Sequence, residues 1–281
     1  MQINPIVFDG LSGYVLTDDV WRLVVITECG PRIAFLGKKE GENLLYWQKD
    51  GVSRKDWKLR GGHRVWLTRP MADESEDTYL SDNEACEVEL LADGLTATAP
   101  AHSVHHLERG MTIRWLSIGT FEVTNFVKNA GDLIYSGGVW SPTCVVPDGR
   151  VLEIPLGEEN VTWDIVKIVI PRVFAGNEAQ LEDPQVTFVG NTLRVTPMGG
   201  VCKRCVKAVQ GRVILRWEKE GICFTKQSPY QRQGQYPLDG CNAAVFVGKD
   251  NWMAEMETFG VEQEIIPGQT IENRETWVLE Q

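Results

Sequence analysis

The sequence predicts an all-β protein made of antiparallel sheets folded on one another, with few short helices. Three observations carry this. Runs rich in β-branched and aromatic residues recur from end to end. Turn residues punctuate them at intervals of about ten residues, the rhythm of antiparallel sandwiches. Patterns of helical period are scarce.

Along the chain, Val20-Trp21-Arg22-Leu23-Val24-Val25-Ile26 reads as a strand, and so does the stretch from Val161 to Ile170. Met111 to Trp115 and Thr120 to Val127 alternate with period two, as half-exposed strands do. Arg212-Val213-Ile214-Leu215-Arg216-Trp217 continues the pattern. Ala130-Gly131-Asp132, Pro147-Asp148-Gly149, Gly190-Asn191, Lys219-Glu220-Gly221 and Pro267-Gly268 are turns. Ala92-Asp93-Gly94 reads as a hairpin turn between Glu87–Leu91 and Leu95–Ala99, although Asn83 to Ala92 also has the composition of a short helical turn.

The 281 residues show no fixed-period repeat and no linker rich in Pro, Gly or Ser, so one domain over 1–281 is expected. A formal net charge of −11 argues against nucleic acid as the main partner. No apolar run has the length of a membrane span, and the first thirty residues lack a secretory leader pattern. A cytoplasmic setting without a membrane partner is expected. Seven cysteines are scattered at no regular interval, which suits reduced, buried thiols. Cys202-Lys203-Arg204-Cys205 has no second CxxC at zinc-site spacing and no helix after it. The acidic stretch Met71 to Glu89, with Asp73, Glu74, Glu76, Asp77, Asp82 and Glu84, does not follow a calcium-loop register and reads as a solvated loop. Neither a metal nor a cofactor is expected.

The chain's end carries the first candidate chemistry. In Trp252-Met253-Ala254-Glu255-Met256-Glu257-Thr258-Phe259-Gly260, the two glutamates share one strand face, where a carboxylate among apolar neighbours can have its basicity tuned. Either carboxyl, Glu257 or Glu255, could then serve as a general base.

The second segment is Leu59-Arg60-Gly61-Gly62-His63-Arg64-Val65-Trp66-Leu67-Thr68-Arg69-Pro70. Two glycines permit close backbone approach to a ligand or a strand. Alternation puts His63 and Val65 on one face, with Arg64 and Trp66 on the other. The imidazole can serve as an acid, and Arg60, Arg64 and Arg69 can fork onto hydroxyls or a carboxylate. Alternatively, His63 is a satisfied core histidine and the arginines lie on the surface.

Elsewhere, Trp140 offers a flat apolar face suited to a pyranose ring. The polar run Tyr230 to Pro237, with Lys226 and Asn242 near it, has the donors and acceptors that a polyhydroxylated ligand needs. His102, His105 and His106, with Glu108, could hold a metal, but the segment reads as a loop. Lys203, Arg204, Lys207 and Arg212 could meet a phosphate or uronate; a solvated strand face is the plainer reading.

Together these segments resemble the galactose mutarotase-like (aldose 1-epimerase) superfamily, in a branch with a Gly-Gly-His-Arg motif. The hairpin Cys29 to Gly37 followed by Asn43-Leu44-Leu45-Tyr46, the Gly61-Gly62 strand, Val123 to Asp132 with its Asn-x-Gly turn, and Met256 to Gly260 before Pro267-Gly268 are the residues that carry it. The resemblance implies an antiparallel β super-sandwich of the galactose mutarotase type and a carbohydrate ligand, acidic or phosphorylated sugars included. It also implies Glu257 as general base in an aldose 1-epimerase-type reaction. Active hexose mutarotases carry a histidine on a central strand, whereas Ser136 to Cys144 here has none. His63 is therefore the candidate acid, with Arg60, Arg64, Arg69, Trp140, Lys226 and Asn242 as candidate substrate contacts. An inactive carbohydrate-binding protein, or a lyase or hydrolase on the same fold, remains the alternative, as does either monomer or homodimer.

Overall fold

The structure is a computed structural model and describes residues 1–54, 57–74, 79, 82–157, 167–172 and 180–281. The expected strands form where described. Trp21–Ile26, Leu107–Ser117, Thr120–Asn129 and Arg212–Trp217 are strands, and Glu87–Leu91 pairs with Gly94–Ala99 across the Asp93 turn. The expected strand from Val161 falls on residues outside the described ones up to 166; Val169–Pro171 is a strand. The one α-helix among the described residues, Pro237–Gly240, is a single turn with left-handed Leu238 and Asp239.

Two layers face each other. One, among the described residues, is a ten-stranded sheet that runs from Val186–Val189 at one edge to Glu87–Leu91 at the other. Its centre is Ile222–Gln227, Thr270–Glu280 and Thr120–Asn129, paired antiparallel. The other layer has six strands in the order Val169–Pro171, Cys202–Val206, Ala243–Val247, Ala254–Phe259, Val139–Val145 and Trp66–Leu67. Gln2–Phe8, Leu11–Thr17, Trp21–Ile26 and Arg32–Lys38 form a four-stranded meander beside it. His63 joins the two by bridging to Ile33 on one side and Thr143 on the other.

The Gly61-Gly62 pair is what permits that junction. Both residues have positive φ, 83° and 70°. A Cβ would stand 2.2 Å from the Tyr46 carbonyl oxygen at Gly61 and 2.3 Å from that of Ile33 at Gly62. The close approach is thus to neighbouring strands. The hairpin before it is tied by Asn43, whose side chain accepts from the Leu36 and Leu45 amides and donates to the Ala34 carbonyl.

The main core lies between the layers. Leu23, Val25, Ile113, Phe121, Val123, Met256, Phe224 and Trp277 are fully buried there. Their alternation with polar residues fixes which face of each strand looks inward. All seven cysteines are free, and six of them sit at buried or half-buried strand or loop positions beside apolar neighbours. Cys202 points into the central core and Cys205 to the opposite face, so the CxxC pair straddles its strand.

Candidate functional site

Every residue of Ala254–Phe259 is buried, because the strand is covered on both faces. Ala254 and Met256 belong to the core between the layers, whereas Phe259 packs with Trp66, Trp140, Cys205, Tyr236 and Ala244 on the outer side. Glu255 and Glu257 share that outer face. The two carboxyls the sequence singled out therefore leave the strand together.

They meet different neighbours. Glu255 Oε1 accepts from Arg64 Nη2 at 3.1 Å and from Cys144 Sγ at 3.2 Å. The Arg64 guanidinium lies 4.0 Å from the centre of the Trp66 ring. Glu257 Oε2 accepts the indole N–H of Trp140 at 2.9 Å. Its Oε1 stands 3.5 Å from Lys203 Nζ and makes no hydrogen bond among the described residues. Lys203 is also 3.0 Å from Asp73 Oδ2 and 3.5 Å from Glu74 Oε1. Tyr79 donates to Glu74 Oε2 at 2.6 Å, and its ring lies 4.9 Å from that of Trp66 and 6.1 Å from that of Trp140. Asp73, Glu74 and Tyr79 thereby cover the sheet face that carries Glu257.

This environment sets the proton affinities. Burial disfavours the Glu257 carboxylate and is the largest influence; Lys203 opposes it, Glu255, Asp73 and Glu74 add repulsion, and the pKa rises to about 8. Burial alone would lower Lys203, but Glu257, Glu74 and Asp73 overcome it and hold the ammonium well above its usual range. Asp73, flanked by Lys203 and Arg172, stays below the usual carboxylate range despite its burial. A carboxyl that titrates near neutrality beside a fixed cation is suited to moving a proton.

The sequence-derived candidates divide across the sheet. Glu257, Trp140 and Arg64 share the outer face. His63 faces inward, where Nε2 meets Asn125 Oδ1 and Nδ1 meets Thr143 Oγ1, both at 2.8 Å. Its ring packs edge-on against Trp277. Alternation within the strand was read as found, with Val65 also in the core and Arg64 and Trp66 opposite. The expected partnership of His63 with Glu257 is not formed, because the Thr143 strand presents its inner face to His63. Lys226 is on the inner side as well, fully buried and bonded to Ser141, Thr143, Met256 and Glu275. Asn242 closes on both backbone groups of Ala208. Arg60 donates to the Lys49 carbonyl, and Arg69 lies 4.9 Å from the Tyr135 ring centre. These contacts give Lys226, Asn242 and Arg60 a structural use.

Trp140 is 2% exposed, so Tyr79 and Phe259, rather than solvent, face its ring in this structure. A cleft of about 280 Å³ opens beside Phe259, between Gln231, Tyr236, Gly260 and Asn273. The polar run from Tyr230 builds one wall of it, with Tyr230 and Tyr236 stacked at 5.4 Å. Among the described residues no three His, Cys, Asp or Glu side chains converge as metal ligands. His102 instead stacks on His105 at 5.3 Å.

Sequence reasoning missed Lys203 and Asp73 as neighbours of Glu257. Cys202-Lys203-Arg204-Cys205-Val206 is a strand buried at every position, so Lys203 and Arg204 do not form a surface patch. The flanking Cys and Val residues hint at a strand covered on both faces, but the counterions that permit a buried lysine are distant in sequence. Asp73 lies in the acidic stretch expected to be solvated, and it is fully buried; Glu76 and Asp77 of that stretch fall outside the described residues.

No family model matches the chain, and no curated protein does. Solved structures do. A galactose mutarotase-like protein from Clostridium acetobutylicum shares 11% identity at a TM-score of 0.62, over 100% of this chain and 98% of that one. The fold is that of the galactose mutarotase-like proteins. A second such protein, from Lactobacillus casei, gives a TM-score of 0.62 at 11% identity, covering 95% of this chain and all of its own. A galactose mutarotase related enzyme from Lactobacillus acidophilus gives 0.61 at 11% identity, over 96% and 97% of the two chains. At these identities the likeness establishes the architecture, an antiparallel super-sandwich of the galactose mutarotase type, and leaves chemistry to be argued from the residues. No helix among the described residues is long and apolar enough to cross a membrane.

Proposed function

We propose that this chain is a single carbohydrate-binding domain that acts on the anomeric centre of a small sugar by an aldose 1-epimerase-type acid/base step, with Glu257 as the base. The observation that carries the reading is the state of that carboxyl. One oxygen is fixed by Trp140, the other makes no hydrogen bond among the described residues, and burial places its pKa near the working range. The structural neighbours, named for galactose mutarotase, support a sugar as the ligand class.

In this reading ionised Glu257 takes the proton of the anomeric hydroxyl as the bond from C1 to the ring oxygen breaks. The ring oxygen becomes alkoxide-like and is more basic than an ammonium group, so Lys203 returns a proton to it. Such base catalysis contributes roughly a hundred- to ten-thousandfold. Tyr79 covers Trp66 and Trp140, so the ligand reaches Glu257 only when that ring moves aside. The cytoplasm is the compartment proposed, with neither nucleic acid nor membrane as partner.

The second reading is a binding protein without catalysis. It is favoured by the inward position of His63, which leaves no imidazole among the described residues in contact with Glu257. NMR saturation transfer between anomers, run over a panel of free, acidic and phosphorylated hexoses, separates the two. Exchange abolished by Glu257→Gln supports the enzyme; binding without exchange supports the module; neither, across the panel, removes both.

A further inference from the structure

The side chains between the layers form a continuous polar chain that no part of the proposed reaction uses. Lys226 reaches across from the ten-stranded sheet and donates to the Ser141 carbonyl at 2.8 Å, the Met256 carbonyl at 3.2 Å and Thr143 Oγ1 at 2.7 Å. Its counterion Glu275 is 3.1 Å away and accepts from Thr258 Oγ1. Both charged groups are fully buried. Asn273 Nδ2 adds bonds to Ser141 Oγ at 3.0 Å and Thr258 Oγ1 at 2.9 Å.

The anchor points are telling. Ser141 follows Trp140, and Met256 and Thr258 flank Glu257. The pair therefore grips the strands of the Trp140–Glu257 hydrogen bond immediately beside both residues, from the side of the sheet opposite the carboxyl. We propose that Lys226 and Glu275 are positioning residues for Glu257, holding its strand in place and setting its proton affinity through the sheet. The inference rests on Glu257 being a titrating group, the base of the proposed function.

Other charges act on the same carboxyl and must be held constant in any test. On the outer face these are Glu255 with its partner Arg64, Lys203, Asp73 with Arg172, Glu74, and the Cys205 thiol. Behind the same strands, on the inner face, stand the Lys226–Glu275 pair and the neutral imidazole of His63. An electrostatic coupling between Lys226 and Glu257 acts through the sheet. Buried ion pairs are frequently replaceable by neutral residues without loss of fold, whereas removing one partner strands the other.

The test reads the Trp140 indole 15N–1H resonance, assigned with Trp140→Phe, as a function of pH in the ligand-free protein. Its hydrogen bond to Glu257 makes it a reporter of that carboxyl. Glu275→Gln and Lys226→Met/Glu275→Gln differ only in the cation at position 226. The midpoint is expected to lie at higher pH in the double variant, by half a unit or more on the order of shifts produced by nearby buried charges. If Glu275→Gln, which strands the buried Lys226 ammonium, does not fold, wild type is compared with Lys226→Met/Glu275→Gln instead, and an unmoved midpoint there overturns the inference. Coincident midpoints in folded, titrating variants overturn the inference and leave Glu257 as base intact. No titration of the wild-type resonance overturns both.

Discussion

Trp140 and Glu257 are diagonal neighbours on paired strands, and the indole N–H of one donates to the carboxyl of the other at 2.9 Å with both side chains buried. The pairing of Trp140 with Phe259 and of Pro142 with Glu257 sets the diagonal. Deleting the donor leaves a buried oxygen with nothing in its place. Trp140→Phe is expected to destabilise the fold by about 1–3 kcal/mol, the cost of an unsatisfied buried polar group. It also favours the neutral carboxyl, so the Glu257 midpoint should move up. Thermal unfolding and the pH profile of anomer exchange check the two halves separately; a lowered midpoint would contradict the hydrogen bond.

The raised pKa of Glu257 makes stability depend on pH in a defined direction. The folded protein keeps this proton up to about 8, whereas the unfolded chain releases it near the ordinary carboxyl value of 4.5. Over that window the native state binds more protons, so this group's contribution falls as pH rises and is exhausted above about 8. Glu257→Gln, neutral and able to accept from Trp140, should be more stable than wild type at alkaline pH while losing anomer exchange. In the wild type, exchange should rise with pH through the same midpoint. Urea midpoints of both proteins on either side of it decide the point; equal pH dependence in the two would remove Glu257 from the account.

Much of the fold was legible, and the site only by halves. Strand period two correctly separated His63 and Val65 from Arg64 and Trp66, and correctly put Glu255 beside Glu257. What it cannot give is which face of one strand matches which face of another, since that is fixed by cross-strand register. His63 pairs with Thr143, and Thr143 pairs with Met256, so His63 follows the inward set and Glu257 does not. Lys203 was hidden for a different reason. A charged residue in a short strand reads as solvent-facing until its counterions, here Asp73 and Glu74 from more than a hundred residues earlier, are placed in space.

Arg64 is bound on three sides, by Glu255, by the Cys144 thiol and by the Trp66 ring. Arg64→Ala would strand Glu255 in a nearly buried position and should cost about 3–5 kcal/mol, as for other broken buried pairs. The double variant Arg64→Met/Glu255→Gln should recover most of that loss. Chemical denaturation of the single and double variants gives the coupling between the two sites. Additive effects would show that the pair contributes nothing beyond packing.

His63 gives the sharpest separation of fold from chemistry. Asn125 Oδ1 can only accept, because its amide nitrogen donates to the Asn273 carbonyl and to Glu275. Nε2 therefore carries the proton, and Nδ1 accepts from Thr143, whose oxygen is free to take the Lys226 bond. Burial, reinforced by Lys226, holds the imidazole neutral and its pKa well below 6.5. The unfolded chain takes up a proton that the native protein refuses, so stability is lost as pH falls below 6.5. His63→Gln should lower stability at neutral pH by about 1–3 kcal/mol through its imperfect hydrogen bonds. It should also flatten the acid limb of the stability profile. Anomer exchange by the folded variant should remain of wild-type order, because the imidazole is on the far side of the sheet from Glu257. A folded His63→Gln protein that binds sugar yet exchanges nothing would put the histidine back into the reaction.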